Sequence, residues 1–309
     1  MKKTLFFLVA VLYMAVCNIS CSSDDDEIVY NNQAVTLPTT KYETQAALFQ
    51  LTNNAITATT SGSTFSLTSL NFTESGKAIV EVTSINGNKK YVTYNVDISG
   101  DTYTISDTKG VRGTVKESVT RSTSNTKLTI TLMVEIPGLG TLSFNTDSPV
   151  EAQKVVAAVA TVATNNIART WRVHEMKLTL EGDVAASITE QSGNLGAFVK
   201  EAQDRGANLS QTEVAQLQRT IYGLTIDKNG LFSIEYSDNG TEACSWKWTD
   251  ESQSKLMLQL HNSEFGNIFF SNNSNIEARF FASGVCHFIM TTKITGNKNY
   301  TATLLMVME

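Results

Sequence analysis

The chain is poor in positive charge, in histidine and in long apolar runs, and each shortage excludes a class of function. It carries 24 lysines and arginines against 30 aspartates and glutamates in 309 residues, a net charge of −6. Nucleic acid asks for a basic footprint, and a helix lying on anionic lipid asks for a basic face. Neither is present, so no nucleic-acid partner is expected. Three histidines occur, His174, His261 and His287, and none sits four residues from another ligand as a zinc helix requires. His174-Glu175 and Cys286-His287 are adjacent pairs; neighbours on a strand point to opposite faces, so neither pair converges on one substrate atom. Gly138-Leu139-Gly140 has no phosphate-binding helix behind it, and no Walker sequence occurs. The chain reads as a non-enzyme with no metal and no cofactor. Its most apolar run, Leu5 to Val16, is 12 residues long, short of the roughly 20 that span a bilayer.

That run follows Lys2 and Lys3, the layout of a secretory leader over residues 1–20. Asn18-Ile19-Ser20-Cys21 then resembles the cleavage box of bacterial lipoproteins, in which the cysteine is acylated and becomes the new N-terminus. Asn18 departs from the usual aliphatic residue, so the reading rests on Ser20, Cys21 and the acidic run behind them. Ser22-Ser23-Asp24-Asp25-Asp26-Glu27 is similar to the acidic export tag of Bacteroidota lipoproteins, which implies the outer face of the outer membrane; a periplasm-facing lipoprotein is the alternative. Four like charges repel and keep a tether over residues 21–30 extended. They do not make a calcium site, which needs 6–8 oxygen ligands held in place. The expected partner there is outer-membrane lipid, through acylated Cys21.

Loss of the leader removes two basic residues and no acid, so the charge moves from −6 to −8. With 41% hydrophobic residues the remainder can bury a real core, and it is long for one domain. Cys244 and Cys286, the two cysteines beyond the leader, are either a disulfide of an exported protein or buried free thiols.

Most of the chain alternates apolar and polar residues between turn signals, the pattern of strands. The pattern occurs twice. Ser69 to Gly76 is echoed 154 residues later by Gly223 to Gly230, each a strand running into a glycine turn. A second strand follows (Ala78 to Val82, Phe232 to Tyr236), then a tight turn at Asn86-Gly87 or Asp238-Asn239-Gly240. In the next strand Val92, Tyr94 and Val96 share a face, as do Cys244, Trp246 and Trp248. The copies end at Leu142–Phe144 and Thr301–Met308. Two similar β domains are expected, over 31–147 and 148–309.

Helices are expected in the second. Ser148-Pro149-Val150-Glu151 has a cap, a proline at the first helical position and a glutamate three residues on, and the apolar residues from Val150 to Ile167 suit a helix that ends near Asn165-Asn166. Leu195, Phe198, Val199 and Ala202 follow helical spacing, with Gly206 as a stop. Leu209-Ser210-Gln211-Thr212-Glu213-Val214 is another capping box, with Val214, Leu217 and Ile221 as its buried stripe.

Ala168-Arg169-Thr170-Trp171-Arg172-Val173 resembles the Gly-Thr-Trp first strand of lipocalin-like domains, with Arg169 where that family usually has glycine. The later hairpins and meander are similar to those of small lipocalin-like (calycin-type) surface lipoproteins of Bacteroidota. The likeness covers residues 150–309, and reaches 28–147 only through the internal repeat. It implies a mainly β fold: two tandem antiparallel lipocalin-like barrels or sandwiches, with a few helices attached to the second. It brings no catalytic residues.

All three tryptophans, Trp171, Trp246 and Trp248, fall in the second copy. A small barrel fills its interior with such side chains. They also suit a pocket for an apolar or sugar-like ligand, with Tyr236, Phe280 and Phe288 beside them, or an outer patch for a partner. The leading expectation is a lipid-anchored small-molecule binding module. A structural or adhesive surface protein that meets a protein or polysaccharide comes second, and a hydrolase with a site assembled from distant residues third.

Overall fold

A computed structural model of the chain describes residues 28–29, 46–52, 55–118, 124–155, 160–183, 185–204, 211–216, 218–259, 275–281, 283–294 and 299–309. Cys21, the acidic run Asp24 to Glu27, Gly206, Leu209, Ser210, Leu217 and His261 lie outside them. The strands are β1 (Ile28–Val29), β2 (Ala47–Leu51), β3 (Thr57–Thr60), β4 (Ser63–Phe72), β5 (Lys77–Ser84), β6 (Lys89–Ser99), β7 (Thr102–Asp107), β8 (Gly110–Ser118), β9 (Asn125–Ile136), β10 (Gly140–Asn145) and β11 (Val150–Val155). Then come α1 (Val162–Ile167), β12 (Thr170–Trp171), β13 (Val173–Gly182), β14 (Ala186–Glu190), α2 (Leu195–Asp204), α3 (Gln211–Gln216), β15 (Ile221–Ile226), β16 (Leu231–Tyr236), β17 (Thr241–Trp248), β18 (Lys255–Gln259), β19 (Asn275–Phe281), β20 (Cys286–Ile294) and β21 (Tyr300–Met308).

The pairings close two rings. In the first, β2, β4, β5, β6, β7, β8, β9 and β11 pair in that order, and β11 returns to β2: an eight-stranded antiparallel barrel. β3 continues the line of β2 along β4, and β10 continues β11 along β9. In the second, β12 pairs with β15 and the meander β15 to β21 returns to β13. Arg172 bonds Glu309 backbone to backbone in both directions, so β12 and β13 act as one strand and this ring also has eight. Away from the β12 end, β14 lies against β13, and α2 lends Leu195, Phe198 and Val199 to the core.

Each ring has its own core, because side chains alternate in and out along a strand. β9 is the cleanest case: Leu128, Ile130, Leu132, Val134 and Ile136 are buried and the residues between them are mostly exposed. Phe49, Phe72 and Tyr103 cluster in the first core, the last two stacked at 4.2 Å. Gly113 on β8 marks a close approach: a Cβ there would stand 2.0 Å from the Thr131 carbonyl oxygen. Gly113→Ala should therefore lose about 3 kcal/mol of stability by denaturant melting, the upper range for overpacking.

The helix predicted from Val150 to Ile167 is corrected. Val150–Val155 is the strand that closes the first ring, so that barrel runs past residue 147. The open edges of β2 and β9 need partners, and that demand overrides the cap signal at Ser148. Among the described residues of that span the helix is Val162–Ile167, capped by the Thr161 hydroxyl, which accepts from Thr164 N–H. Ile221, read as the end of a helical stripe, starts β15. Residues 28–29, read as tether, pair with β19 of the second barrel.

The barrels meet through matching turns. Thr73 N–H donates to Lys77 O and Gly76 N–H to Thr73 O; Asp227, Leu231 and Gly230 repeat both bonds 154 residues on. Even the bulge recurs, between Leu67 and Ser69 and between Ile221 and Gly223. Across the interface Glu74 pairs with Lys228 at 2.9 Å, and Tyr91 bridges Thr241. Each of these contacts joins a residue to its own counterpart, which is the mark of a two-fold relation. The same ends of the two barrels therefore lie together: Ser75 bonds Thr170 at 2.8 Å at one end, and Thr93 N–H donates to the Thr241 hydroxyl toward the other.

Candidate functional site

The six aromatic residues singled out in the sequence belong to the second core or its edge. Trp171, Tyr236, Phe280 and Phe288 are at most 2% exposed, and Trp246 is 7% exposed. Their polar atoms are used within the protein. The Trp171 indole donates to Ile167 O at 2.9 Å, Trp246 to Asp227 O at 2.9 Å, Trp248 to the Thr164 hydroxyl at 3.0 Å, and the Tyr236 hydroxyl to Glu242 at 3.1 Å. Cys244 and Cys286 are buried free thiols. Burial pushes the Cys244 thiol up to about 12 and raises that of Cys286 as well, which disfavours the thiolate form of both.

A pocket of about 240 Å³ lies elsewhere, on the outer wall of the second barrel, and four strands and a turn build it. The turn links β19 to β20. Phe281 N–H donates to Val285 O, Gly284 N–H donates to Phe281 O, and Gly284 takes the positive φ of 87° that the tight reversal needs. Arg169 holds this turn from behind: its guanidinium lies 3.9 Å over the Trp171 ring and donates to Gly284 O at 3.3 Å. The residue that departs from the lipocalin-like motif thus braces the pocket rim.

β20 brings His287, whose ring sits 4.3 Å from that of Phe281. β21 brings Val307, directly opposite His287, and leads to Glu309. β13 brings His174 through a bulge: the register shifts between Val173 and Glu175, so His174 is the extra residue. Strict alternation would send His174 and Glu175 to opposite faces. The bulge turns both outward, a correction to the sequence reading of that pair. His174 Nδ1 then lies 3.7 Å from Glu309 Oε1. Cys286 and His287 do face opposite sides, the thiol in the core and the imidazole on the pocket.

The pocket has two characters. Phe281, Val285 and Val307 offer carbon; His174, His287, Ser283 and Glu309 offer hydrogen-bond donors and acceptors. Sequence reasoning missed it, because its two histidines stand 113 residues apart on strands separated by β21. Among the described residues no group of three or more His, Cys, Asp or Glu side chains is arranged to hold a metal.

The chain matches no protein-family model and no curated protein. Among solved structures it is similar to a protein of unknown function from the DUF3598 family of Nostoc punctiforme, at 8% identity and a TM-score of 0.23, over 89% of this chain and 100% of that one. A double mutant of the vaccine antigen Transferrin Binding Protein B from Haemophilus parasuis aligns at 8% identity and a TM-score of 0.24, over 78% of this chain and 53% of that one. A porin-like protein from Bacteroides uniformis aligns at 12% identity and a TM-score of 0.14, over 90% and 100%. Likeness at this level carries no argument about this chain. The mainly β, barrel-forming architecture stands on the strand pairings themselves.

Proposed function

We propose that this chain is a non-enzymatic binding module, held at the outer membrane through acylated Cys21, that takes a small ligand with one apolar face and several hydroxyls, such as a sugar ring. The observation that carries the reading is the wall pocket. Ligand sites are concave and largely apolar, with a few polar groups that fix orientation. Here Phe281, Val285 and Val307 receive the carbon face, while His174, His287, Ser283 and Glu309 receive hydroxyls. The aromatic residues of the core stiffen the wall from behind: Phe280 lies beside Phe281 on β19 and packs against Trp171 at 6.5 Å. That division of labour gives the large side chains a structural role and leaves recognition to the outer face.

Ligand-observed NMR against free hexoses and aromatic alcohols tests it. Ser283 is exposed at the mouth of the pocket, so Ser283→Trp fills the opening without touching the core. Binders should appear with the wild type and lose at least tenfold in affinity with Ser283→Trp, at unchanged melting temperature. Binders indifferent to Ser283→Trp would move the site elsewhere. Trp246→Ala, by contrast, should act on stability before it acts on binding.

A further inference from the structure

The pocket lies beside β1, the first described strand of the chain. Ile28 pairs with Phe281, a pocket residue, and Val29 pairs with Phe280. Cys21 is seven residues before Ile28, and a fully extended chain of that length spans at most about 25 Å. We propose that this pocket opens onto the headgroup layer of the membrane that holds Cys21, and that its occupant is the sugar-bearing headgroup of a neighbouring lipid. The inference rests on the anchored binding reading and narrows it to a membrane-borne ligand.

Three observations carry it. The first is the pinned N-terminal strand with its short lead, which keeps this end of the second barrel within reach of the bilayer. The second is the side-by-side arrangement of the barrels, which places the Thr73 to Gly76 and Asp227 to Gly230 turns at that same end. The far turns, at Asn86-Gly87 and Asp238-Asn239, then point away from the membrane. Eight residues of β5 separate the two ends of the first barrel, about 25 Å along the strand. The third is the pocket's make-up: an apolar wall beside imidazole, hydroxyl and carboxylate groups suits a hydroxylated ring on an acyl-chain stem.

The full-length acylated protein, reconstituted in nanodiscs, supplies the test. Cys244 and Cys286 are buried with raised thiol pKa values, so a cysteine added at an exposed position is labelled selectively. A fluorophore on Ser283→Cys and one on Asn86→Cys are compared for energy transfer to a headgroup acceptor. Strong transfer from position 283 and weak transfer from position 86 are expected. Ile28→Pro removes a backbone donor from the pinning strand and should reduce the difference. Equal transfer, or the reverse order, overturns the proposal.

Ligand source is read separately. Nanodiscs of phosphatidylethanolamine, with or without a monohexosyl diacylglycerol, are compared by the imidazole NMR signals of His174 and His287. Those signals should shift with the glycolipid, at concentrations where free hexose leaves them unmoved. A response to free hexose alone would refute the membrane-borne ligand and leave the binding reading standing. The intact mass of the purified protein reports acylation of Cys21; a mass without acyl chains removes the anchor and with it this inference.

Discussion

Trp171→Ala is expected to cost about 4 kcal/mol, the range for truncating a fully buried aromatic side chain. Trp171 is 0% exposed and does three things at once. Its ring fills the end of the second barrel beside Phe280, its face carries the Arg169 guanidinium at 3.9 Å, and its indole N–H holds the last residue of α1 through Ile167 O. Against a typical total of about 5–15 kcal/mol, that loss brings the second barrel close to unfolding at ordinary temperature. Phe49, which pairs with Leu70 as Trp171 pairs with Leu224, is the corresponding residue of the first barrel. Phe49 has no indole donor, so Phe49→Ala should cost less, about 3 kcal/mol. Equilibrium denaturation in urea compares the two. A loss below about 1 kcal/mol for Trp171→Ala would mean that the barrel end collapses onto the vacated space and that Arg169 does not need the ring.

The same correspondence shows how far the sequence can be read. The 154-residue echo is visible because alternation and turn chemistry are local, and the hairpins it marks agree bond for bond, bulge included. One strand later the offset becomes 150: Ala78 pairs with Tyr94, and Phe232, its counterpart, pairs with Cys244. The sequence pattern sets Tyr94 beside Trp246, a slip of two residues. Faces survive such a slip because side-chain direction has a period of two, so the inward residues are identified correctly although their partners are not. What stays hidden is non-local. Nothing near Val150 announces that two distant strand edges await it, and nothing near Ile28 says that its partner lies at Phe281. The pocket is hidden for the same reason, since His174 and His287 meet only through ring closure and one bulge.

The interface between the barrels should tighten as the pH falls from neutral toward about 4, because of Asp227. This carboxyl is 5% exposed in the seam, where it accepts from Asn71 Nδ2 at 3.1 Å and from Asn229 N–H at 3.2 Å. Two buried oxygens, Asn71 Oδ1 and Asn229 Oδ1, have no hydrogen-bond partner among the described residues. Both are acceptors on residues that already bond Asp227, so a proton on that carboxyl would give one of them the donor it lacks. Burial raises the Asp227 pKa in the folded protein, outweighing the hydrogen bonds that lower it. The neighbouring charges are paired, Glu74 with Lys228 and Lys77 with Glu235, both at 2.9 Å. With a folded pKa above the unfolded value near 4, the native state binds the extra proton between the two. Stability from this group is therefore fully present below about pH 4 and is lost as pH rises through the folded pKa, at up to about 1.4 kcal/mol per pH unit. Asp227→Asn replaces the carboxyl with a neutral amide that keeps an acceptor and always has a donor. It should match or exceed the wild type at pH 8 and lose its advantage toward pH 4, in paired urea melts across that range. A stability difference that does not change with pH would mean Asp227 stays ionised in the seam, with Asn71 and Asn229 meeting its charge unaided.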